Sequence, residues 1–316
     1  MTIQKKLAVV ALGGNAIMQK GEEGNIHQQF ANTRKTLNAI MELIRRDYRL
    51  VITHGNGPQV GNLFLMVEAT RDVVPEIPLG VCVADTQGQM GYMIQQSLQN
   101  RLIREGYDRQ VMTLVTQVIV DRNDPSFQNP TKPIGPFYTK EEAEKIQQER
   151  GWRMVEDSGR GYRLVVASPI PQRILETDVV QMLLEEDVIV IAVGGGGIPV
   201  VIEPDGTYEG VEVVVDKDYA SSVLARDLRA DLFIVLTGVD KIAINFNTPN
   251  QKTFDQLTIA EALAYADQGH FPPGSMGPKV KAAIDFLQHG GHEVIITSLD
   301  KVGEALEGKN GTRIIR

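Results

Sequence analysis

Seven short apolar runs, rich in valine and isoleucine, recur along this chain and constrain its fold more than any other feature. They cover residues 7–12, 50–53, 111–120, 164–167, 188–193, 232–236 and 293–297. Their apolarity is continuous rather than alternating, which suits strands buried on both faces of a parallel sheet that helices cover. The runs therefore predict the strands of an α/β fold.

Between these runs lie segments with the periodicity of amphipathic helices. The apolar stripes are Phe30, Leu37, Ile40, Met41 and Ile44; Ala220, Val223, Leu224 and Leu228; and Val280, Ala283, Ile284 and Leu287. This alternation of strand and helix predicts a doubly wound α/β sandwich, in which ligands bind at the carboxyl ends of the strands.

Residues 121–163 break the pattern. The segment has four prolines, a highly charged stretch TKEEAEKIQQERGW and two nearby glycines, Gly159 and Gly161. It is typical of an insertion that packs lightly on the main body, such as a lid. The 316 residues suit one large α/β domain or two smaller ones. We expect a single domain over 1–316, with a lid subdomain inserted at 121–163.

Charge and cysteine content exclude several classes of partner. The net charge of −8 gives no reason to expect binding to nucleic acid or to anionic lipid. No stretch approaches the roughly 18 to 20 continuous apolar residues of a membrane helix, and the N-terminus lacks the pattern of a signal peptide. The single cysteine, Cys82, cannot form an internal disulfide. We expect a cytoplasmic protein that acts on small molecules.

Three predicted strands run into glycine-rich turns, at residues 12–15, 54–58 and 193–197. Glycine lets backbone N–H groups approach an anion closely, and a following helix N-terminus adds a favourable dipole. Each turn alone is equally well explained by a tight turn or by close strand-to-helix packing. Together, at the carboxyl ends of buried strands, they favour a site for an anionic ligand.

The sequence has neither a GxxxxGK[ST] loop nor a dinucleotide-binding fingerprint, so positive charge must come from elsewhere. Lys279 follows Pro278, which is predicted to begin a helix, and a cation there opposes the helix dipole unless an anion is present. Lys217 lies between Asp216 and Asp218 at the start of another predicted helix. One of these aspartates is explained by an ordinary N-cap, and the other suits fixing the lysine or holding Mg²⁺ through a second shell.

A third candidate cation, Lys132, lies on the proline-stiffened insertion. A rigid loop can bring a cation over a cleft. The simpler alternative for Lys132 is that it only aids solubility. The simpler alternative for Lys279 is a solvated lysine whose long side chain extends away into water. The five histidines show no metal-ligand spacing, and we predict no protein metal centre. His54 is expected to pack beside its glycine turn, and Ser168 lacks the turn of a hydrolase nucleophile.

Ten segments of the sequence resemble the carbamate kinase branch of the amino acid kinase family. They are VALGGN (10–15), THGNGPQVG (53–61), CVADTQGQMGYMIQQ (82–96), TKPIGPFYT (131–139), VASPIP (166–171), AVGGGGIPV (192–200), VDKDYASSVLA (215–225), LTGVDKI (236–242), FPPGSMGPKVKAAI (271–284) and GTRI (311–314). They follow the family order from one end of the chain to the other. TKPIGPFY and GNGPQVG are specific to this branch.

The resemblance implies an open three-layer αβα sandwich with a mainly parallel central sheet, a protruding lid and a homodimer. It implies reversible transfer of a phosphoryl group between carbamoyl phosphate and ADP, giving ATP and carbamate, with Mg²⁺ bound on the nucleotide. Many amino acid kinases place a catalytic lysine on the first strand. Here that strand reads VVAL at residues 9–12, and the resemblance to the carbamate kinase branch implies that Lys217 takes the place of that lysine.

The resemblance also assigns site residues by motif. The carbamate and transferring phosphoryl group would be bound by Gly13, Gly14, Asn15, Gly55, Asn56 and Gly57. Lys217 and Lys279 would stabilise the transferring charge, Asp218 would orient both lysines, and Lys132 would reach in from the lid. The nucleotide would be bordered by Gly194, Gly195, Gly238, Asp240, Lys241 and Ile242.

Two other functions stay open from the sequence. One is a related kinase that acts on another small carboxylate or phosphonate. The other is a catalytically inactive sensor of nucleotide or carbamoyl phosphate that keeps the fold. The presence of Lys132, Lys217, Asp218 and Lys279 together speaks against a decayed site.

Overall fold

The computed structural model describes residues 5–13, 17–18, 22–157, 161–272 and 274–316. Its strands are β1 (Leu7–Leu12), β2 (Arg49–His54), β3 (Val111–Thr113), β4 (Gln117–Val120), β5 (Lys132–Tyr138), β6 (Met154–Glu156), β7 (Tyr162–Val166), β8 (Pro171–Ile174), β9 (Ile189–Ile191), β10 (Ile198–Ile202), β11 (Tyr208–Gly210), β12 (Leu232–Thr237), β13 (Ala243–Ile244), β14 (Lys252–Thr253), β15 (Gln256–Thr258), β16 (Glu293–Ser298) and β17 (Thr312–Ile315).

Its α-helices are α1 (Ile26–Ile44), α2 (Gly57–Thr70), α3 (Leu79–Glu105), α4 (Lys140–Arg150), α5 (Thr177–Glu185), α6 (Lys217–Asp227), α7 (Ile259–Asp267), α8 (Met276–Gln288) and α9 (Val302–Leu306). Short 3₁₀ turns lie at Pro125–Phe127, Gly194–Gly196 and Leu299–Lys301. Across the described ranges, no helix combines the length and the apolarity that crossing a bilayer requires.

Eight of the described strands form the main sheet, in the order β15-β17-β16-β12-β1-β2-β9-β3. The strands from β16 to β3 are mutually parallel, whereas β17 runs antiparallel to β16 and carries β15 at the edge. Parallel strands require crossover connections, and here helices supply most of them. The prediction of a mainly parallel sheet is confirmed.

Strand β1 shows why its apolar run is continuous. Leu7, Val9 and Ala11 face a core that includes helices α5, α6, α7 and α8, while the alternate residues Val10 and Leu12 face a second core with α1, α3 and α9. All six residues of the strand are buried. Because both faces are covered, neither can be polar, and the predicted three-layer αβα sandwich is confirmed.

Two strand predictions were wrong in detail. The run 111–120 is not one strand but β3 and β4, which belong to different sheets. The chain turns between them because Thr116 is tied to the core: its backbone N–H donates to Gln87 Oε1 at 2.9 Å, and its hydroxyl accepts from Val193 N at 2.8 Å. The run 164–167 contributes to β7, which lies outside the main sheet.

Strands β5, β7 and β6 form an antiparallel sheet of their own, which we call the small sheet. Helix α4 connects β5 to β6, with Thr139 as its N-cap in a capping box and Gly151 in left-handed conformation at its end. Strands β5 and β6 of the small sheet fall within the segment predicted as an insertion, 121–163, whereas β7 begins there and extends past it to Val166.

Candidate active site

The carboxyl ends of β1, β12 and β16 meet at one edge of the main sheet, as their parallel pairing requires. A cavity of about 640 Å³ opens there. Gly13 lines it from the end of β1, Gly238 and Lys241 from the end of β12, and Asp300 from the end of β16. Lys279 of helix α8 reaches the same cavity. The edge predicted to bind ligands is therefore concave and carries cations.

Asp218 joins two of the predicted lysines. Lys217 Nζ donates to one carboxylate oxygen of Asp218 at 2.6 Å, and Lys279 Nζ donates to the other at 2.9 Å. The carboxylate is almost fully buried, and each lysine side chain is only 14% exposed. Lys279, which lies 61 positions after Asp218 in the sequence, is thus held at the same carboxylate as Lys217.

The charges of this cluster shift the titration of its members. Burial by itself raises the pKa of Asp218, but attraction to Lys217 and Lys279 outweighs burial and lowers that pKa to about 2. Burial also lowers the pKa of the Lys217 ammonium below its ordinary value of 10.5; Asp218 opposes this shift, and the charge of Lys279 adds to it. The carboxylate is ionised at neutral pH and cannot neutralise both lysines. With both lysines protonated, the three side chains carry a net charge of +1, which suits an anionic ligand.

Asp216 holds the start of helix α6. One of its oxygens accepts from Asp218 N at 2.9 Å, so Asp216 is the N-cap that the sequence indicated for one of the two aspartates. Its other oxygen accepts from Lys132 Nζ at 3.0 Å. Lys132 is the first residue of β5, and its side chain is 39% exposed. All three predicted cations thus lie around the first turn of α6.

Helix α8 begins two residues earlier than predicted. Its first residue is Met276, so Pro278 is the third helical residue and Lys279 the fourth. The lysine still lies close to the positive end of the helix dipole, where a cation is unfavourable without an anion. Asp218 supplies that anion.

The glycine run after β9 requires glycine for a conformational reason. Gly195, Gly196 and Gly197 adopt φ values of +66°, +102° and +86°, which side chains with a Cβ rarely tolerate in succession. A Cβ on Gly195 would lie 2.2 Å from the Asn56 side chain, and one on Gly196 would lie 2.4 Å from the Val215 carbonyl. The run therefore fills the space between the β2 turn and the segment that leads into α6.

The β2 turn lies beside this run. Asn56 is buried and is the N-cap residue of α2; its side-chain amide donates to Thr86 Oγ1 at 2.8 Å. Gly55 N donates to Leu12 O at 3.2 Å, and Gly57 begins α2 at an exposed position. Gly13 packs against β12, where an added Cβ would lie 3.1 Å from Leu236 O.

Two predicted site residues, Gly14 and Asn15, lie outside the described residues. Their assigned role stays a prediction.

His54 is the last residue of β2 and lies beside the glycine run. The ring is buried, and its Nδ1–H donates to Gly55 O at 3.1 Å. Burial lowers the pKa of His54 to about 4; the hydrogen bond to Gly55 opposes this shift, and the charge of Lys217 adds to it. The imidazole is neutral at pH 7, and it packs against the glycine run, where a Cβ on Gly194 would lie 2.7 Å from it.

The residues predicted to border the nucleotide divide into two groups. Gly238 and Lys241 line the cavity, while Asp240 accepts a hydrogen bond from Ser298 and Ile242 is buried with its N–H donating to Thr312 Oγ1 at 2.9 Å. Gly194 and Gly195 are not among the described residues that line the cavity; they lie beside His54 and Asn56. The structure therefore places these two glycines with the predicted acceptor residues.

In the described part of the chain, no group of three or more His, Cys, Asp or Glu side chains has the arrangement of a metal centre. The two aspartates nearest the lysines are already engaged by ammonium groups.

A model of the amino acid kinase family matches residues 6–298 of this chain. The chain belongs to the amino acid kinase family. The resemblance found in the sequence motifs is thereby confirmed.

Several proteins that are similar to this chain over nearly their full length are named carbamate kinases. The carbamate kinase of Thermococcus kodakarensis is 51% identical over 314 residues, covering 98% of this chain and 99% of that protein. The carbamate kinase of Pyrococcus furiosus is 49% identical over 312 residues, with the same coverage. The structure of carbamate kinase from Giardia lamblia bound to AMP-PNP aligns with a TM-score of 0.93, at 43% identity and 98% coverage of both chains.

Sequence reasoning missed several cavity residues of this amino acid kinase fold. Phe246, His270, Met276, Ser298 and Asp300 line the cavity but were not predicted. Ser298 ends β16 and Asp300 follows it closely, so the strand-end rule applied to the run 293–297 identifies this position. Phe246 follows strand β13, and no motif in the sequence indicates that it reaches the cavity.

Proposed function

We propose that this chain is a carbamate kinase, which transfers a phosphoryl group reversibly between carbamoyl phosphate and ADP. A β-phosphate oxygen of ADP attacks the phosphorus of carbamoyl phosphate, and the bond from that phosphorus to the carbamate oxygen breaks. The products are ATP and carbamate. The high identity over the full length of named carbamate kinases supports this substrate pair.

The observation that carries the proposal is the ammonium pair on Asp218, of which Lys279 lines the cavity. Transfer of a phosphoryl group spreads negative charge over its equatorial oxygens, and catalysis depends on fixed positive charge and on alignment of the two reactants. Lys217 and Lys279 are held in place before any ligand arrives, because Asp218 and the helix starts fix both side chains. Little reorganisation is then required in the transition state.

The site divides between its two substrates. The nucleotide would occupy the cavity lined by Gly238, Lys241 and Phe246, with its terminal phosphate toward Lys279. The carbamate end would lie by Asn56 and Gly195, which neighbour the start of α6. Lys217 would then lie between the two substrates, where the phosphoryl group passes.

Mg²⁺ would enter with the nucleotide. This ion usually keeps several waters and binds substrate phosphates with few protein carboxylates. That preference fits a site whose nearby aspartates, Asp216 and Asp218, are both engaged by lysines. The metal would supply further neutralisation of phosphate charge, while the chain itself contributes the lysines.

The segment 121–163 would act as a lid. Its small sheet carries Lys132, and the contact of this lysine with Asp216 brings the small sheet to the edge of the site. The homodimer implied by the resemblance remains a prediction, and sedimentation equilibrium of the purified protein measures it directly.

A coupled assay for ATP formation from ADP and carbamoyl phosphate tests the proposed function. We expect turnover that depends on both substrates and on Mg²⁺. ATP formation from acetyl phosphate or a phosphonate analogue, with none from carbamoyl phosphate, would indicate the alternative kinase. Tight nucleotide binding without turnover of any acceptor would indicate a sensor.

Replacing Lys132 with alanine is expected to raise the KM for carbamoyl phosphate about tenfold or more, since a hydrogen bond to a charged group contributes about 1.5 to 3 kcal/mol. The KM for ADP should change little, because Lys132 lies on the small sheet and not among the cavity residues that the structure describes. Initial rates over both substrates measure this. Lys140→Ala, in the same segment and 66% exposed, is the control. An unchanged KM in Lys132→Ala would place Lys132 outside the binding site.

The lowered pKa of Lys217 predicts an alkaline limit to activity. The protonated lysine is the active form, so activity is complete below its folded pKa and declines as pH rises through that value, which lies below 10.5. An arginine stays charged throughout this range. We therefore expect the alkaline decline of kcat in Lys217→Arg to move to higher pH, whatever its absolute rate. Identical pH profiles would assign the decline to another group.

A further inference from the structure

The small sheet has a core of its own with α2 and α3. Ile134, Met154 and Leu164 from the small sheet pack with Val60 of α2 and Val83 of α3. This cluster is separate from the two cores that flank the main sheet. The backbones are close as well, because a Cβ on Gly61 of α2 would lie 3.8 Å from Gly135 Cα of β5. The position of β5 therefore depends on α2.

An ion pair lies at the outer end of this interface. Arg150, the last residue of α4, is paired with Glu68 of α2 through Nη1 and Oε2. The Glu68 side chain is only 9% exposed and that of Arg150 is 23% exposed. A carboxylate this deeply covered is stable only with its partner, because removal of one member leaves an uncompensated charge.

Aromatic packing holds the arginine in place. The chain reverses at Gly151, whose φ of +67° favours glycine, and this turn brings Trp152 back under Arg150. The guanidinium carbon lies 4.8 Å from the centre of the Trp152 ring, within the range of a cation–π contact. The same ring packs on Phe64 of α2, with centroids 5.4 Å apart. The ion pair and the ring stack together clamp the end of α4 to α2.

Helix α2 connects this clamp to the proposed site. Its N-cap is Asn56, which is fixed to α3 through Thr86. Gln59 in its first turn donates to Gln29 Oε1 of α1 at 3.0 Å, and both side chains are buried. The first turn of α2 therefore belongs to the main body, whereas its outer half supports the small sheet that carries Lys132.

We propose that Glu68 and Arg150 are positioning residues that fix the small sheet on α2 and thereby set the place of Lys132 over the site. Neither residue needs to touch substrate. Loss of the pair lets the small sheet shift on α2, and Lys132 at the start of β5 shifts with it. This inference rests on the proposed function for its kinetic test, but the attachment itself can be measured without activity.

The kinetic test is a double-mutant cycle. Glu68→Gln keeps the size of the side chain and removes its charge, and we expect the KM for carbamoyl phosphate to rise about five- to tenfold, since small misplacements of binding groups are costly. The KM for ADP and kcat should stay within about twofold of wild type, because the cavity and the Lys217 cluster are untouched. In a Lys132→Ala background, Glu68→Gln should have no further effect.

Arg150→Met provides a second variant in case Glu68→Gln folds poorly, and the same change in KM is expected. Glu144→Gln is the matched control, since Glu144 lies on α4 in an exposed ion pair with Lys140 at 3.9 Å. An unchanged KM in both clamp variants would overturn the proposal. An equal rise in the KM for carbamoyl phosphate when Glu68→Gln is introduced into Lys132→Ala would also overturn it. A clamp variant that loses kcat together with affinity for both substrates would overturn it as well.

Fluorescence separates this inference from the proposed function, because Trp152 is the single tryptophan of the chain. We expect Glu68→Gln to shift its emission to the red and to increase its quenching by acrylamide, with no such change in Glu144→Gln. Wild-type protein without ATP formation would refute the proposed function, and the fluorescence would then still decide whether the clamp exists. Unchanged emission and quenching in both clamp variants would refute the clamp, whatever the activity.

Discussion

Lys217→Ala is expected to lower kcat about 100-fold or more while the KM for nucleotide changes little, which is typical of an interaction made mainly in the transition state. The reason is its place in the structure. Its side chain is 14% exposed and its ammonium lies 2.6 Å from a buried carboxylate, so it supplies fixed charge in a region where water competes weakly. Water that fills the space left by the shorter alanine side chain cannot replace that charge. Steady-state rates over both substrates measure the effect.

Lys279→Ala is expected to behave in the same way, because its ammonium shares Asp218 with Lys217. Lys281→Ala is the matched control: it lies two residues further along α8 at an exposed position, and its rates should equal those of wild type. Wild-type kcat in both Lys217→Ala and Lys279→Ala would overturn the assignment of these lysines to the transferring charge. A rise in nucleotide KM without loss of kcat would make them ground-state binding residues instead.

Asp218→Asn is expected to reduce both activity and stability. The substitution keeps the shape of the side chain but leaves two nearly buried ammonium groups beside one neutral amide. Breaking a buried ion pair from one side costs about 3 to 5 kcal/mol, because the remaining charge is uncompensated. We expect a loss of this order in the free energy of unfolding, together with a large fall in kcat as the lysines move apart. Urea unfolding and steady-state kinetics measure the two effects.

The pH dependence of this loss has a definite sign. The pKa of Asp218 is lowered from 3.8 to about 2, so its contribution to stability is present above pH 3.8 and disappears as pH falls toward 2. The difference in unfolding free energy between wild type and Asp218→Asn should therefore shrink over that interval.

Asp216→Asn is the matched control for Asp218→Asn, because asparagine caps a helix as well as aspartate does and only the partly exposed pair with Lys132 is lost. Its stability should stay within about 1 kcal/mol of wild type. Equal losses of unfolding free energy in both variants would show that Asp218 contributes no more to stability than Asp216 does.

The sequence predicted most of the main sheet because strands buried on both faces must be apolar throughout. The run 7–12 matches β1 in both bounds, and the run 232–236 falls within β12. The run 111–120 was assigned wrongly because apolar periodicity does not show where a strand changes sheet. The turn there depends on a hydrogen bond to Gln87 of α3, which lies 29 residues earlier in the sequence. A local sequence pattern does not show such a contact.

Local patterns in the sequence proposed members of the candidate site, whereas the structure shows how the described ones are arranged. Lysines at helix starts and glycines at strand ends are local signals, and they pointed to Lys217, Lys279 and Gly195. That one carboxylate holds both lysines is a contact between helices α6 and α8, which lie far apart along the chain. The same limit explains why the sequence did not indicate that Phe246 lines the cavity.

The residues alone therefore predicted a doubly wound α/β sandwich, a sheet edge suited to an anionic ligand and the lysines available to it, because periodicity, turn chemistry and charge are properties of short segments. The folded chain was needed to show which cations share Asp218, which residues enclose the cavity and how Arg150 reaches Glu68. These facts depend on contacts between distant segments, and such contacts form only when the helices pack against the completed sheet.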